Sequence, residues 1–217
     1  MKTTENAVTI SPIEWGEVVI RIVGDTPLIM HAWSEKAKRQ MLEAQMKTTK
    51  TKAREIRNPV SDFINSMYWL EGKPTDETEE GFDEAIANGA KFGFPVTAIK
   101  QAGNSAAYRS GWVKNQAGLR GAYFIIGDEN QMVEIHSDAP IMREDMVTVG
   151  ISGTDLRYRG EFRNWYADLV VKFNKNGQFT LEQIINVINA GGAICGIGEW
   201  RPEKDGQYGM YHVEAKK

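Results

Sequence analysis

The residues of this sequence with chemistry to offer are cations interleaved with aromatic rings. Arg157, Tyr158 and Arg159 are consecutive, Arg163 follows, and Arg201 sits between Trp200 and Pro202. Lys100 and Arg109 fall in one helical pattern, with Lys114 and Arg120 in the Gly-containing link after it. Between Lys36 and Arg57 the chain carries Lys38, Arg39, Lys47, Lys50, Lys52 and Arg54 against only Glu43 and Glu55. A single nucleic-acid strand presents one phosphate and one π-face per nucleotide. Alternating cations and rings therefore bind it without reading its bases. The plainer alternative is that each cation is a surface ion-pair partner and that 36–57 is a solvated helix face with a Lys/Thr-rich loop.

Catalytic signals are sparse. His31 and Asp25 lie just after the first strand, where a general base could act, whereas His136 and His212 fall in strand patterns and read as structural. There is no HxxxH, HExxH or Cys/His cluster, so no metal is expected. No GxGxxG follows a strand and no P-loop is present, so no nucleotide cofactor is expected either. The acidic run Glu71–Glu84 lacks the spacing of a calcium loop and reads as a solvated insertion. The expectation is a binding protein without catalytic residues.

Composition bounds the class. With 217 residues, 41% hydrophobic and 25% charged, the chain can bury a core. A net charge of −3 gives no global pull toward nucleic acid or membrane, so any basic surface must be local. Cys195 is the sole cysteine, which excludes an internal disulfide and suits a buried structural thiol. No apolar run approaches membrane-spanning length, and a soluble cytoplasmic protein is expected.

The elements that must position these residues are clearest at the C-terminal end. Residues 165–174 alternate as a strand, and Thr180 with Gln183 forms a capping-box pattern before Leu181, Ile184, Ile185 and Ile188. Gly191-Gly192 ends that helix, a Gly-punctuated loop spans 196–206, and 208–213 reads as a closing strand. Earlier, 17–23 is a strand, 59–70 a short helix and 96–110 a longer one. Residues 119–126 and 132–136 read as a hairpin around Gly127–Asn130, 146–149 as a strand, and 155–163 as a link. Strand, helix, loop and strand within 165–213 make half of a ferredoxin-like (RRM-like) α+β domain with an antiparallel sheet. One domain over 1–217 is expected, with its core at about 17–57 and 165–213 and a variable insertion at about 58–163. Strands 17–23, 165–173 and 208–213 should share one sheet.

Several of these stretches resemble the RAMP superfamily, the backbone subunits of CRISPR effectors. The first strand ending in Gly24-Asp25-Thr26-Pro27-Leu28 is similar to that family's first strand, and Phe94–Ala102 is similar to its aromatic-Pro helix start. Gly196-Ile197-Gly198 through Gly206–Val213 resembles its C-terminal Gly-rich loop and closing strand. The helix start has Val96-Thr97-Ala98 in place of the family's Gly-Ser-Ser, and Glu199-Trp200 interrupt its small, basic loop. Small bacteriophage proteins with a Gly-Glu-Trp-Arg-Pro signature, seen here at 198–202, are also similar. The resemblance implies a RAMP-type core that binds single-stranded RNA in preference to DNA and self-assembles into a helical or filamentous homo-oligomer, here in a bacterial host cell. It implies Lys100 as a contact, beside the cations read above: Lys50, Lys52, Arg54, Arg109, Lys114, Arg120, Arg157, Tyr158, Arg159, Arg163 and Arg201. A protein-only assembly or adaptor is the alternative, and an endoribonuclease the minor one, because some relatives cut RNA.

Overall fold

Residues 12–33, 35–46, 57–150 and 153–214 are described by a computed structural model. Trp15–Gly24 forms β1, with Ile20 and Ile22 turned inward at alternate positions. A turn at Asp25–Pro27 leads to a short, fully buried strand, β2 (Leu28–Met30). α1 (Glu35–Gln45) follows, and its Met41 and Leu42 are exposed. In α2 (Pro59–Asn65) the Asn58 side chain accepts from the Val60 and Ser61 amides, while Pro59 takes the first position, where a missing N–H costs nothing.

After β3 (Trp69–Glu71) the acidic stretch departs from expectation. It is not simply a solvated insertion: Thr78 caps a helix, α3 (Glu79–Ala87), and Phe82 sets its ring edge-on to Phe63 at 5.0 Å. One ring inside an acidic run is enough to anchor it to the core. β4 (Lys91–Pro95) runs directly into α4 (Val96–Arg109), the helix expected there. Leu119 belongs to α5 (Ala117–Ala122), which precedes β5 (Tyr123–Ile126) and β6 (Met132–Ile135). β7 (Ile141–Val149) and β8 (Gly153–Phe162) come next, so the stretch 155–163 read as a link is strand as far as Phe162. β9 (Tyr166–Asn174), α6 (Leu181–Ala190) and β10 (Tyr211–Val213) complete the order. The Thr180–Gln183 capping box is present on α6, which continues into a π-helical turn at Gly191–Cys195. Cys195 is fully buried there, and burial pushes its thiol up.

The fold is α+β with antiparallel sheets. Its main sheet has the order β10–β1–β9–β5, every pair antiparallel. Residues 17–23 and 165–173 are thus neighbours, as expected, with β10 shorter than the 208–213 read from sequence. In chain order this unit is β1, α4, β5, β9, α6, β10. Its first helix and second strand therefore come from the 58–163 stretch expected to be inserted. The β5–β6 hairpin does not form: β5 pairs with β9 while β6 pairs with β4. β9 is long enough to hold β1 on one side and β5 on the other, which leaves β6 to the Phe92–Pro95 edge.

Ile20, Ile22, Tyr123, Ile125, Ala167, Leu169 and Val171 form the inner face of the sheet, in one core with Ile99 and Ala106 of α4 and Ile184 and Ile188 of α6. A Cβ on Gly191 would lie 2.6 Å from the Gly103 backbone nitrogen, so the α4 backbone and the turn after α6 touch directly. Two smaller sheets, β2–β8–β7 and β3–β4–β6, flank this unit. β7 and β8 pair from Ile141/Glu161 to Val149/Gly153 as one long hairpin, with Met146 72% exposed on it. Among the described residues, no helix is long and apolar enough to cross a membrane.

Candidate nucleic-acid interface

Strand register decides which cations are free. Arg143 on β7 lies opposite Arg159 on β8, a like-charged pair that needs carboxylates between its members. Asp145 and Glu161 supply them. The Arg143 guanidinium donates to Asp145 (2.7 Å) and Glu161 (3.0 Å), Arg159 to Asp145 (3.0 Å), and Arg163 to Glu161 (2.8 Å).

The Gly-rich loop closes this network from above. Its Glu199 amide donates to the Ile29 carbonyl (2.9 Å), and Gly198 takes φ +77°, where a Cβ would sit 2.4 Å from that same oxygen. Only glycine lets the loop lie this close to β2. The Glu199 carboxylate is thereby set 3.3 Å from His31 Nδ1 and 3.7 Å from Arg159. Contact with His31, then the nearby Arg159 charge, holds it below the usual carboxylate range despite burial. Burial pushes the Asp145 and Glu161 carboxyls up, but their guanidinium partners outweigh it and both lie below the usual range. Trp200 holds a left-handed backbone (φ +52°), and the buried Arg159 Nε lacks a hydrogen-bond acceptor among the described residues.

The cations expected to contact phosphate therefore divide into two groups. Arg159 is 4% exposed and cannot reach a ligand without opening this network. Arg157 pairs with Asp155 (3.1 Å), Arg163 with Glu161, and Arg109 and Arg201 both with Glu203. The Tyr158 ring lies under Arg57, 5.5 Å from its guanidinium, and its hydroxyl is engaged by Glu144. Lys50, Lys52 and Arg54 lie outside the described residues. Lys100, Lys114 and Arg120 form no ion pair with any described residue. Lys100 Nζ donates to the Arg120 carbonyl (2.7 Å) and stands 4.3 Å over the Phe124 ring; burial lowers its pKa.

Phe124 leads to the face of the main sheet that, among the described residues, no helix covers. Strand parity puts Trp15, Glu17, Val19 and Arg21 of β1 on that face, with Tyr166, Asp168, Val170 and Lys172 of β9 and Phe124 and Ile126 of β5. The Tyr166 end is filled: Arg21 lies 4.3 Å over that ring and is bidentate to Asp168, while His136 stacks on it at 4.7 Å. At the other end Trp15 and Phe124 meet edge-on at 5.9 Å, and Lys172 stands 5.2 Å over Trp15 with no ion pair to any described residue. Read from the sequence, β1 starts at residue 17, and none of Trp15, Phe124 and Lys172 is named as a contact. Alternation carries the signal: counted from Ile20, Ile125 and Leu169 on their own strands, Trp15, Phe124 and Lys172 occupy the parity opposite the core. His31 and Asp25, the residues weighed for catalysis, have different partners: His31 faces Glu199, and Asp25 is bonded to His212 Nδ1 at 2.6 Å. Among the described residues, no three His, Cys, Asp or Glu side chains are grouped to hold a metal.

Compared with known proteins, the chain matches no family model and no curated sequence.

Proposed function

We propose that this chain is a sequence-tolerant subunit for single-stranded nucleic acid, RNA rather than DNA, that assembles along its ligand into a helical or filamentous oligomer. The observation that carries the reading is the group of unpaired cations, Lys100, Arg120 and Lys172, beside the exposed rings of Phe124 and Trp15. Cations without carboxylate partners are those that gain most from releasing counterions on a phosphate backbone. We also take the β1–α4–β5–β9–α6–β10 unit as a ferredoxin-like core of RAMP type, since its spatial order is fourth, first, third, second strand. No general base or metal enters this reading, and His31 is taken as an anchor for Glu199.

Salt titration tests it. For single strands each phosphate contact contributes about 0.7 to the slope of log affinity against log salt. Arg120→Glu and Lys114→Glu are each expected to lower that slope by about this amount, with folding unchanged. Arg157→Glu, whose partner is an internal acid, should leave the slope intact. Absence of binding to any single strand at low salt would sink the proposal, and strand cleavage by the wild type would make the chain a nuclease.

A protein-only assembly role is favoured by one specific observation. Met142, Met146 and Leu156 on the β7–β8 hairpin and Trp33, Met41, Leu42 and Met46 around α1 are all exposed. Sedimentation without nucleic acid separates the two readings: an oligomer of full size in its absence supports the second.

A further inference from the structure

We infer that the Trp15–Phe124 end of the open sheet face is a subsite for an unpaired nucleobase, so that the strand is held there by stacking as well as by charge. This inference rests on the nucleic-acid reading above and specifies where and how the ligand is gripped.

A cleft of about 330 Å³ lies at this end, lined by Trp15, Phe124, Ile126, Gln131 and Lys172 among others. That is at the lower bound of about 300 Å³ for small-molecule sites, and its walls combine the Trp15 and Phe124 rings and Ile126 with the polar Gln131 and Lys172. Trp15 is 44% exposed, Phe124 40% and Ile126 44%, a concentration of apolar surface on a strand face that water would otherwise solvate. The two rings meet at 66°, so no base intercalates between them; one stacks on the outward face of either.

Gln131 supplies the polar edge. It is held in a left-handed conformation (φ +60°), its amide donating to Asp128 (3.0 Å) and its carbonyl accepting from Val96 (3.0 Å). Its side chain is exposed and has no partner among the described residues, so its carboxamide is free to meet a base edge. The nearby Asp128 carboxylate is turned onto its own loop, accepting from the Asn130 and Met132 amides.

Charge selects the occupant. Lys172 and Lys100 stand over the two rings, and Lys100 is bonded to the carbonyl of Arg120 on α5, the helix that leads into β5. Glu17 faces Lys172 across the β1–β9 ladder but forms no ion pair with it. An apolar face destined for another protein would not need several unneutralised cations at its rim. A nucleotide, with one ring and one phosphate, satisfies both features at once.

The test compares a short oligouridylate with a matched abasic oligonucleotide of equal length and charge, at fixed salt. Wild type should bind the base-bearing strand about tenfold more tightly, the order set by one stacking contact. Trp15→Ala and Phe124→Ala should erase that preference while leaving the salt slope unchanged, and Trp15→Tyr, which keeps a ring, should retain it. Lys172→Gln should do the reverse, lowering the slope by about 0.7 while keeping the preference. Equal wild-type affinity for both strands would overturn the inference and leave the nucleic-acid reading standing. Wild type that binds neither strand would end both. Should Trp15→Ala spare the preference but abolish self-association, the face contacts a second copy of the chain and the inference fails.

Discussion

Asp145→Ala is expected to destabilise the folded chain by about 3–5 kcal/mol, the cost of removing one partner from a buried ion pair. Asp145 is 6% exposed and, among the described residues, is the one carboxylate bonded to both Arg143 and Arg159. Without it two guanidinium groups on adjacent strands face each other, and Arg159, already lacking an acceptor at Nε, loses its closest anion. Equilibrium urea denaturation measures the loss; a change below about 1 kcal/mol would mean that water screens the network. The same cluster predicts acid sensitivity. Asp145, Glu161 and Glu199 all have folded-state pKa values below their usual range. A depressed carboxylate pKa contributes stability that is present above the unfolded value and is lost as pH falls through the folded one. The wild type should therefore lose stability below about pH 4, the ordinary carboxylate range, and the Asp145→Ala variant should lose less over that interval.

Leu169→Asp is expected to leave the chain unfolded near neutral pH. Leu169 is fully buried at the centre of β9, paired with Ile20 on β1 and in one core with both sheet helices. A carboxylate there has no cation or amide to meet, so it is either ionised without solvent or protonated at a cost. Its folded pKa would rise, so the penalty is smallest below the unfolded value near pH 4 and grows as pH rises. Circular dichroism at neutral and acid pH checks this, and Leu169→Ala, expected to cost about 2–5 kcal/mol, separates lost packing from buried charge. A Leu169→Asp chain as stable as wild type would mean that the β1–β9 face is not the core.

What the sequence made legible followed local rules. The capping box at Thr180, the alternation at 165–174 and the helix beginning at Val96 each depend on residues within a few positions, and each was readable. What escaped depended on partners distant in sequence. Gly127–Asn130 has turn composition, yet β5 and β6 separate because β9 and β4 offer each a longer edge. The basic run at 157–163 resembles a ligand site, but its charges are matched by Asp145, Asp155, Glu161 and Glu199, the last contributed by a loop 40 residues on from Arg159 (159 to 199). A list of cations does not distinguish a neutralised arginine from a free one. Register and burial do: they set aside Arg157, Arg159 and Arg163, keep Lys100 and Arg120, and add Lys172.

The lone thiol has a practical consequence. Cys195 is wholly enclosed in the π-helical turn where the α6 end meets α4, and burial suppresses its thiolate. Alkylating reagents attack thiolate, so in the native molecule this position is silent and becomes reactive only when that junction opens. The natural chain thus carries a built-in clock for opening of its innermost helix contact. It is also a ready background in which one cysteine placed at exposed Met146 would carry a dye alone.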